Sequence, residues 1–309
     1  MRPLLLLGLG ALAVSACADN SAVDTDAEAV ASATPTPAST APTTDMIDST
    51  DTTSTSDTAV SDTGSDPTTE TIPGDDAVIG EELVGRWAHY DVVAYEDDTL
   101  KTLIISYGFN DFDVVEGRLI DQASFCFSEQ RTDQPIETSL SDAATQAIEP
   151  PPTPVTVDTV EGVLRVRRAP TPTPVGIRLD DPANEPLPTD PADPRIVDDD
   201  GDSKPGITVT IRVSDDLSGE LYIARREIFA YEAFLTGPDL LTGTVTDDSE
   251  QLVIGASDPI FASSPANWGQ LPDLSKSPII LQRVDADWDC ARLADERDVL
   301  FPPTPEVDW

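Results

Sequence analysis

The feature that most limits the fold is a long stretch without the residues that build a core. Between residues 18 and 76 there is no Lys, Arg, Phe, Tyr or Trp, and Asp, Thr, Ser, Ala and Pro dominate. Low hydrophobicity combined with charge of one sign cannot offset the entropy lost on folding. We therefore expect a disordered acidic tether over residues 17–76 and a folded domain over residues 77–309.

Strand patterns dominate the second part of the chain. The clearest segment is Ile207–Val213, where Ile and Val alternate with Thr and Arg, which is the period of two of a half-buried strand. About nine segments of strand-forming residues favour an all-β domain built as an antiparallel barrel, with a β-sandwich as the alternative. Asn110-Asp111 and Asp247–Ser249 are predicted as turns between strands, and Gly117 as a bulge.

Loops and helices occupy the remaining segments. Two long loops are expected, residues 169–195, which are dense in Pro and Asp, and residues 256–278, which contain Trp268. Long loops are usually functional or disordered. Short helices are predicted over Ser139–Ile148 and Asp289–Arg297, the second with Asp289 as its N-cap.

The N-terminus has the layout of a secretory signal peptide over residues 1–16. Arg2 precedes an apolar run over Leu4–Val14 that is too short to cross a bilayer. Val14-Ser15-Ala16-Cys17 resembles the lipobox of bacterial lipoproteins. That resemblance implies cleavage before Cys17, acyl chains on Cys17, and a lipid anchor in the cell envelope. Ala18, where Asp would favour retention at the inner membrane, favours the outer membrane; an ordinary signal peptide is the alternative.

The charge balance restricts the partners. The chain has 58 Asp and Glu against 18 Lys and Arg, a formal net charge of −40. Nucleic acids and anionic lipid surfaces require clusters of Lys and Arg. We therefore expect no nucleic-acid partner, and contact with the membrane only through the acyl chains on Cys17.

Two cysteines remain once Cys17 is assigned to the anchor. Cys126 and Cys290 would reside in an exported compartment where disulfides form. We expect them to form a disulfide, with two buried free thiols as the alternative.

An acidic loop precedes the clearest strand. Asp198, Asp200 and Asp202 stand at alternate positions, and carboxylates on such a loop can converge on one Ca²⁺. The spacing resembles the first half of an EF-hand loop, but Ser203 stands where that loop needs Gly, and Val209 where it needs Glu. We predict a Ca²⁺ site here, with a solvated acidic turn as the alternative.

A second resemblance concerns the first strand of the domain. Gly85-Arg86-Trp87 resembles the opening Gly-x-Trp of lipocalin-type barrels. It implies a barrel that binds a small ligand; the alternative is that Trp87 only fills the core.

Motifs of enzymatic chemistry are sparse. His89 is the only histidine, and it lies in a predicted strand without a nucleophile elbow nearby, so we interpret it as structural. The leading hypothesis is a lipid-anchored envelope lipoprotein that presents a non-enzymatic domain for ligand or partner binding. The alternatives are a carboxylate-dependent polysaccharide hydrolase and a structural envelope protein without a ligand.

Overall fold

The structure is a computed structural model of the 309-residue chain. It describes residues 80–97, 100–262 and 269–309. The predicted signal peptide, Cys17, the predicted tether, the expected start of the domain at residue 77 and Trp268 therefore lie outside the described residues. Strands make up most of what is described: β1 Gly85–Glu96, β2 Lys101–Val115, β3 Arg118–Thr132, β4 Glu137–Leu140, β5 Thr153–Val160, β6 Val163–Val175, β7 Ile207–Ser214, β8 Leu217–Gly237, β9 Leu240–Asp247, β10 Glu250–Ala256, β11 Gly269–Gln270 and β12 Pro278–Arg283.

Strands of the described chain close into a barrel, so the all-β barrel prediction is confirmed and the sandwich alternative is wrong. The ring runs β1-β2-β3-β5-β6-β8-β9-β12 and returns to β1, each pairing being antiparallel. This is sequence order with β4, β7, β10 and β11 left out. Alternate side chains of each strand point inward, which encloses one apolar core.

One strand belongs to two sheets. The second half of β8 lies in the barrel between β6 and β9. Its first half leaves the barrel and pairs with β7 on one side and β10 on the other, while β4 extends this smaller sheet beyond β7. A short helix, α1 (Asp142–Gln146), packs its Ala144 into the core of the smaller sheet.

Trp87 fills one end of the barrel. It is fully buried, and its indole Nε1 donates to the carbonyl of Leu83 at 2.8 Å. Leu83 ends a 3-10 helix, Glu81–Leu83, that precedes β1. From β12, the guanidinium of Arg283 lies 4.2 Å from the centre of the Trp87 ring and donates to the carbonyls of Val84 and Glu82. Packing and charge-assisted hydrogen bonds therefore close this end together.

A C-terminal helix covers the outer face of β1 and β2. This helix, α2 (Cys290–Leu300), begins with Asp289, whose side chain accepts from the backbone N–H of Arg292. The N-cap predicted from sequence is therefore present. Leu293 of α2 is fully buried against outward-facing residues of the barrel. Within the described residues, neither α-helix has the length and apolar character that a membrane crossing requires.

Two predicted turns are wrong. Asn110-Asp111 lies inside β2, and the chain reverses at Glu116-Gly117, both with positive φ (51° and 75°). This conformation suits a two-residue hairpin turn and favours Gly. Asn110, in contrast, is buried, and its side-chain amide donates to a carboxylate inside the barrel. Asp248 and Ser249 interrupt the pairing between β9 and β10 without inserting a residue, because Asp247 lies opposite Phe229 and Glu250 lies opposite Arg226, both on β8.

The long loops also differ in extent from the sequence prediction. Residues 169–175 belong to β6, and the irregular segment runs from residue 176 to 206. Pro is tolerated there because it falls at alternate positions, Pro170, Pro172 and Pro174, in a part of β6 that pairs with β8 but extends beyond its pairing with β5. The missing N–H groups can then face the unpaired edge. In the second loop the described chain contains β11 and a 3-10 helix, Leu274–Lys276.

Candidate functional site

The two domain cysteines are joined as predicted. A disulfide links Cys126 on β3 to Cys290 at the start of α2, with 5.3 Å between the Cα atoms. It ties α2 to the barrel wall across 164 residues of sequence. Cys126 is buried, and the pair is structural within the described chain.

The acidic loop brings its three carboxylates together. Asp198, Asp200 and Asp202 each offer an oxygen, and the three oxygens lie within 4.8 Å of one another. Oxygens at 2.3–2.6 Å from one Ca²⁺ are at most about 5 Å apart, so the distances suit one ion. Asp198 is held by the backbone N–H groups of Gly201 and Ser203, at 2.8 Å each.

The electrostatics of this loop are uneven. Partial burial and the neighbouring charges of Asp202 and Asp198 raise the pKa of Asp200, against a hydrogen bond from the backbone of Thr208. One oxygen of Asp200 is buried and accepts no hydrogen bond from the described residues. Burial also acts on Asp202, but hydrogen bonds from Thr208 and Lys204 outweigh it and lower the pKa of Asp202. The ammonium of Lys204 lies 3.3 Å from Asp202, so a side-chain cation already stands beside the loop.

A second cluster of ionisable groups lies inside the barrel, away from Trp87. We call it the polar end cluster and define it as the polar and ionisable residues on the inward faces of β1, β8 and β9 at this end, together with Ser249. Its members are Asp91, Tyr95, Arg225, Glu227, Asp247 and Ser249.

The interruption between β9 and β10 places Ser249 at the centre of this cluster. The backbone N–H of Asp248 donates to the carbonyl of Ile228, and the N–H of Ile228 donates to Oγ of Ser249 at 2.9 Å. Oγ of Ser249 thus accepts where a backbone carbonyl accepts in a regular antiparallel ladder. The same Oγ lies 2.8 Å from Oε2 of Glu227 and 2.7 Å from Oδ2 of Asp247, so two carboxylates lie beside one hydroxyl group.

Arginine and tyrosine border the two carboxylates. Nε of Arg225 lies 2.5 Å from Oε1 of Glu227, and its Nη2 lies 3.5 Å from the hydroxyl of Tyr95. The Tyr95 hydroxyl also forms a hydrogen bond with Asp247. Arg225 therefore neutralises one of the carboxylates in the cluster.

Burial favours the protonated, neutral form of acidic side chains in the cluster. It is the main cause that raises the pKa of Glu227, with the charge of Asp247 adding to it and Arg225 opposing it. It likewise raises the pKa of Asp91 and holds that of Tyr95 well above its usual value. Burial alone would lower the pKa of Arg225, but the charge of Glu227 outweighs it and raises that pKa. Clusters of perturbed groups mark functional-site candidates.

His89 lies deeper in the barrel than the cluster. Its Nε2 is 3.1 Å from Oδ1 of Asp91, and both side chains are almost fully buried. The ring of Phe125 meets the imidazole edge-on at 5.1 Å. The Nδ1 atom has no hydrogen-bond partner among the described residues.

The sequence has two pairs of adjacent arginines, Arg167-Arg168 and Arg225-Arg226, and acidic side chains neutralise them. Nη1 of Arg168 lies 2.9 Å from Oδ2 of Asp121, and both side chains are fully buried inside the barrel. The same carboxylate accepts from Asn110 at 2.8 Å and from the Tyr231 hydroxyl at 2.9 Å. Arg226 pairs with Glu250. The first ion pair is internal to the barrel, whereas the second reaches the surface at Glu250, whose side chain is 51% exposed.

Sequence patterns do not single out Glu227 or Asp247, because the chain holds 58 acids. One signal was available. Glu227 stands two and four residues before Phe229 and Tyr231, on the strand face that fills the barrel. A carboxylate in register with core aromatics marks a buried charge, and buried charges need partners.

Compared with protein-family models, with curated proteins and with solved structures, the chain matches none.

Proposed function

We propose that this protein is a lipid-anchored envelope lipoprotein whose barrel is a non-enzymatic binding module. The lipobox-like Val14–Cys17 supports the anchor, since a protein with a net charge of −40 has no electrostatic attraction to anionic lipid. Ala18 after the cysteine favours the outer membrane. Two or three acyl chains suffice for stable attachment.

One observation carries the binding role. Near Trp87 the barrel holds apolar side chains and one balanced ion pair, Arg168–Asp121, whose carboxylate also accepts from Asn110, opposite Trp87. The other end holds the polar end cluster, in which carboxylates outnumber the one guanidinium. A barrel with a purely structural role gains more stability from apolar residues, because buried charges are costly to desolvate. The lipocalin-like Gly85-x-Trp87 agrees with this assignment, since Trp87 and Arg283 close the opposite end.

The geometry favours binding over polysaccharide hydrolysis. Retaining glycosidases hold two carboxyl groups about 5–5.5 Å apart with the glycosidic bond between them. Between Glu227 and Asp247 that position is occupied by the hydroxyl of Ser249, which is hydrogen-bonded to both. A sugar ring therefore has no room between these two carboxylates.

The anchor and the binding role are tested separately. Cells that express wild type or Cys17→Ala are labelled with a fatty acid analogue, and their membranes are separated on a density gradient. We expect label and outer-membrane position for wild type only; equal labelling refutes the anchor.

A thermal-shift screen of sugars, organic anions and amines on the mature protein tests binding. A panel in which no compound raises the melting temperature refutes the binding role.

A further inference from the structure

The polar end cluster carries more acid than base. Asp91, Glu227 and Asp247 provide three carboxyl groups, and Arg225 contacts only Glu227 among them. No Lys or Arg of the described chain forms an ion pair with Asp91 or Asp247. A buried carboxylate without a counter-charge either takes up a proton or binds a cation.

Hydrogen-bond donors are also too few. The hydroxyl of Ser249 lies within 2.8 Å of Glu227 and 2.7 Å of Asp247, but it has one proton and can donate to one of them. Its lone pairs already receive the N–H of Ile228. The second carboxylate oxygen therefore faces another oxygen unless a further donor is supplied.

An independent observation lies deeper in the barrel. Asp91 is 2% exposed, and its Oδ1 accepts no well-aligned hydrogen bond, although Nε2 of His89 is 3.1 Å away. The charge of Asp247 acts on Asp91, so this unsatisfied oxygen belongs to the same electrostatic environment. Native proteins rarely leave such buried atoms without a partner or a ligand.

The cluster is partly exposed at one side. Side-chain exposure rises from 2% at Asp91 to 10% at Arg225 and 18% at Glu227. Glu227 therefore lies on the side of the cluster nearest to solvent, and Asp91 lies on the buried side.

We propose that the polar end cluster binds the primary ammonium group of a small ligand; this rests on the proposed binding role of the barrel. An ammonium supplies one positive charge and three donors, which match the oxygens of Glu227, Asp247 and Ser249. A divalent metal fits less well, because Ca²⁺ needs six to eight oxygens and Arg225 adds a positive charge within 2.5 Å of Glu227.

Calorimetry on the mature protein with n-butylammonium tests the assignment. Tetramethylammonium has the charge without N–H donors, 1-butanol has the chain without the charge, and CaCl₂ supplies a metal. We expect saturable binding of butylammonium alone. Tetramethylammonium binding equally well would assign the effect to the net charge of the protein and overturn the proposal, as would preferential binding of Ca²⁺ in a manner that Glu227→Gln abolishes.

Variants locate the site. Glu227→Gln and Asp247→Asn are each expected to weaken butylammonium binding roughly 10-fold or more, the range for hydrogen bonds to charged groups. Glu232→Gln, on the outer face of the same strand, and Asp248→Asn, the exposed neighbour, serve as matched controls and should bind as wild type does. Equal affinity in all four variants overturns the proposal.

A measurement on wild type covers variants that fail to fold. Burial raises the pKa of Glu227, so an ammonium that binds its carboxylate displaces a proton, and the heat of binding should differ between phosphate and HEPES buffers. Identical heats overturn the proposal. If sugars or anions raise the melting temperature and butylammonium does not bind, the ammonium assignment fails while the binding role stands.

Discussion

Removing Arg168 should cost the barrel a large part of its stability. Its guanidinium lies 2.9 Å from Asp121, and both side chains are 0% exposed. Arg168→Met fills a similar volume but leaves the carboxylate of Asp121 with only the neutral donors of Asn110 and Tyr231. Breaking a buried pair by removing one partner costs about 3–5 kcal/mol, a large share of the roughly 5–15 kcal/mol that stabilises a typical domain.

The measurement is urea unfolding followed by tryptophan fluorescence, with Arg165→Met as the matched control. Arg165 lies on the same strand but faces outward, where it pairs with Asp158 in partial contact with solvent. Solvent screening makes such a pair nearly neutral for stability, so the control should unfold close to wild type. Equal losses for the two variants would refute the argument that burial sets the cost.

The double variant Arg168→Met, Asp121→Asn separates charge from packing. Removing the second charge relieves the unpaired carboxylate, so the double variant should be more stable than Arg168→Met alone. If the two losses simply add, the cost comes from packing and the electrostatic explanation fails.

Three further outcomes are expected. Burial raises the pKa of Asp91 and of Glu227, so above about pH 4 the folded protein holds more protons than the unfolded chain, and this contribution to stability falls as pH rises through the raised pKa values. The melting temperature of Asp91→Asn should therefore depend less on pH between pH 4 and 8 than that of wild type. An unchanged dependence of melting temperature on pH contradicts this. Reducing Cys126–Cys290, which are 164 residues apart, should lower the free energy of unfolding in urea by roughly 3–5 kcal/mol, and a loss below about 1 kcal/mol would show that the crosslink does not restrict the unfolded chain. Ca²⁺ should raise the melting temperature of wild type but not of Asp200→Asn. If calorimetry detects no heat of Ca²⁺ binding, the acidic loop is not a Ca²⁺ site.

The barrel class could be predicted because it depends on patterns that repeat along the chain. The alternation in Ile207–Val213, which forms β7 of the smaller sheet, and the aromatic residues of β1 are local signals. Among the barrel strands, each pairs with the next barrel strand along the chain, and β12 returns to β1. The cap of α2 is equally local, since Asp289 bonds three residues ahead. Local chemistry sufficed for these elements.

Features that depend on distant partners could not be predicted. Asn110 resembles a turn residue until Asp121 is placed beside it on β3, and the interruption at Asp248 and Ser249 is recognised only from their contacts with Ile228. The same limit hides the polar end cluster, because Glu227 and Asp247 acquire their meaning only through Ser249 and the strands between them. Acid-rich composition gives no means of choosing two carboxylates among 58.

The pairing of β1 with β12 determines when the barrel can form during synthesis. Trp87 lies opposite Arg283, so one edge of β1 stays unpaired until nearly the whole described chain has left the ribosome. Contacts between such distant residues slow folding, and an open strand edge invites association with other chains. The net charge of −40 opposes that association, since like-charged chains repel one another. The acidity of the protein can therefore protect the nascent chain during the interval before the last strand arrives.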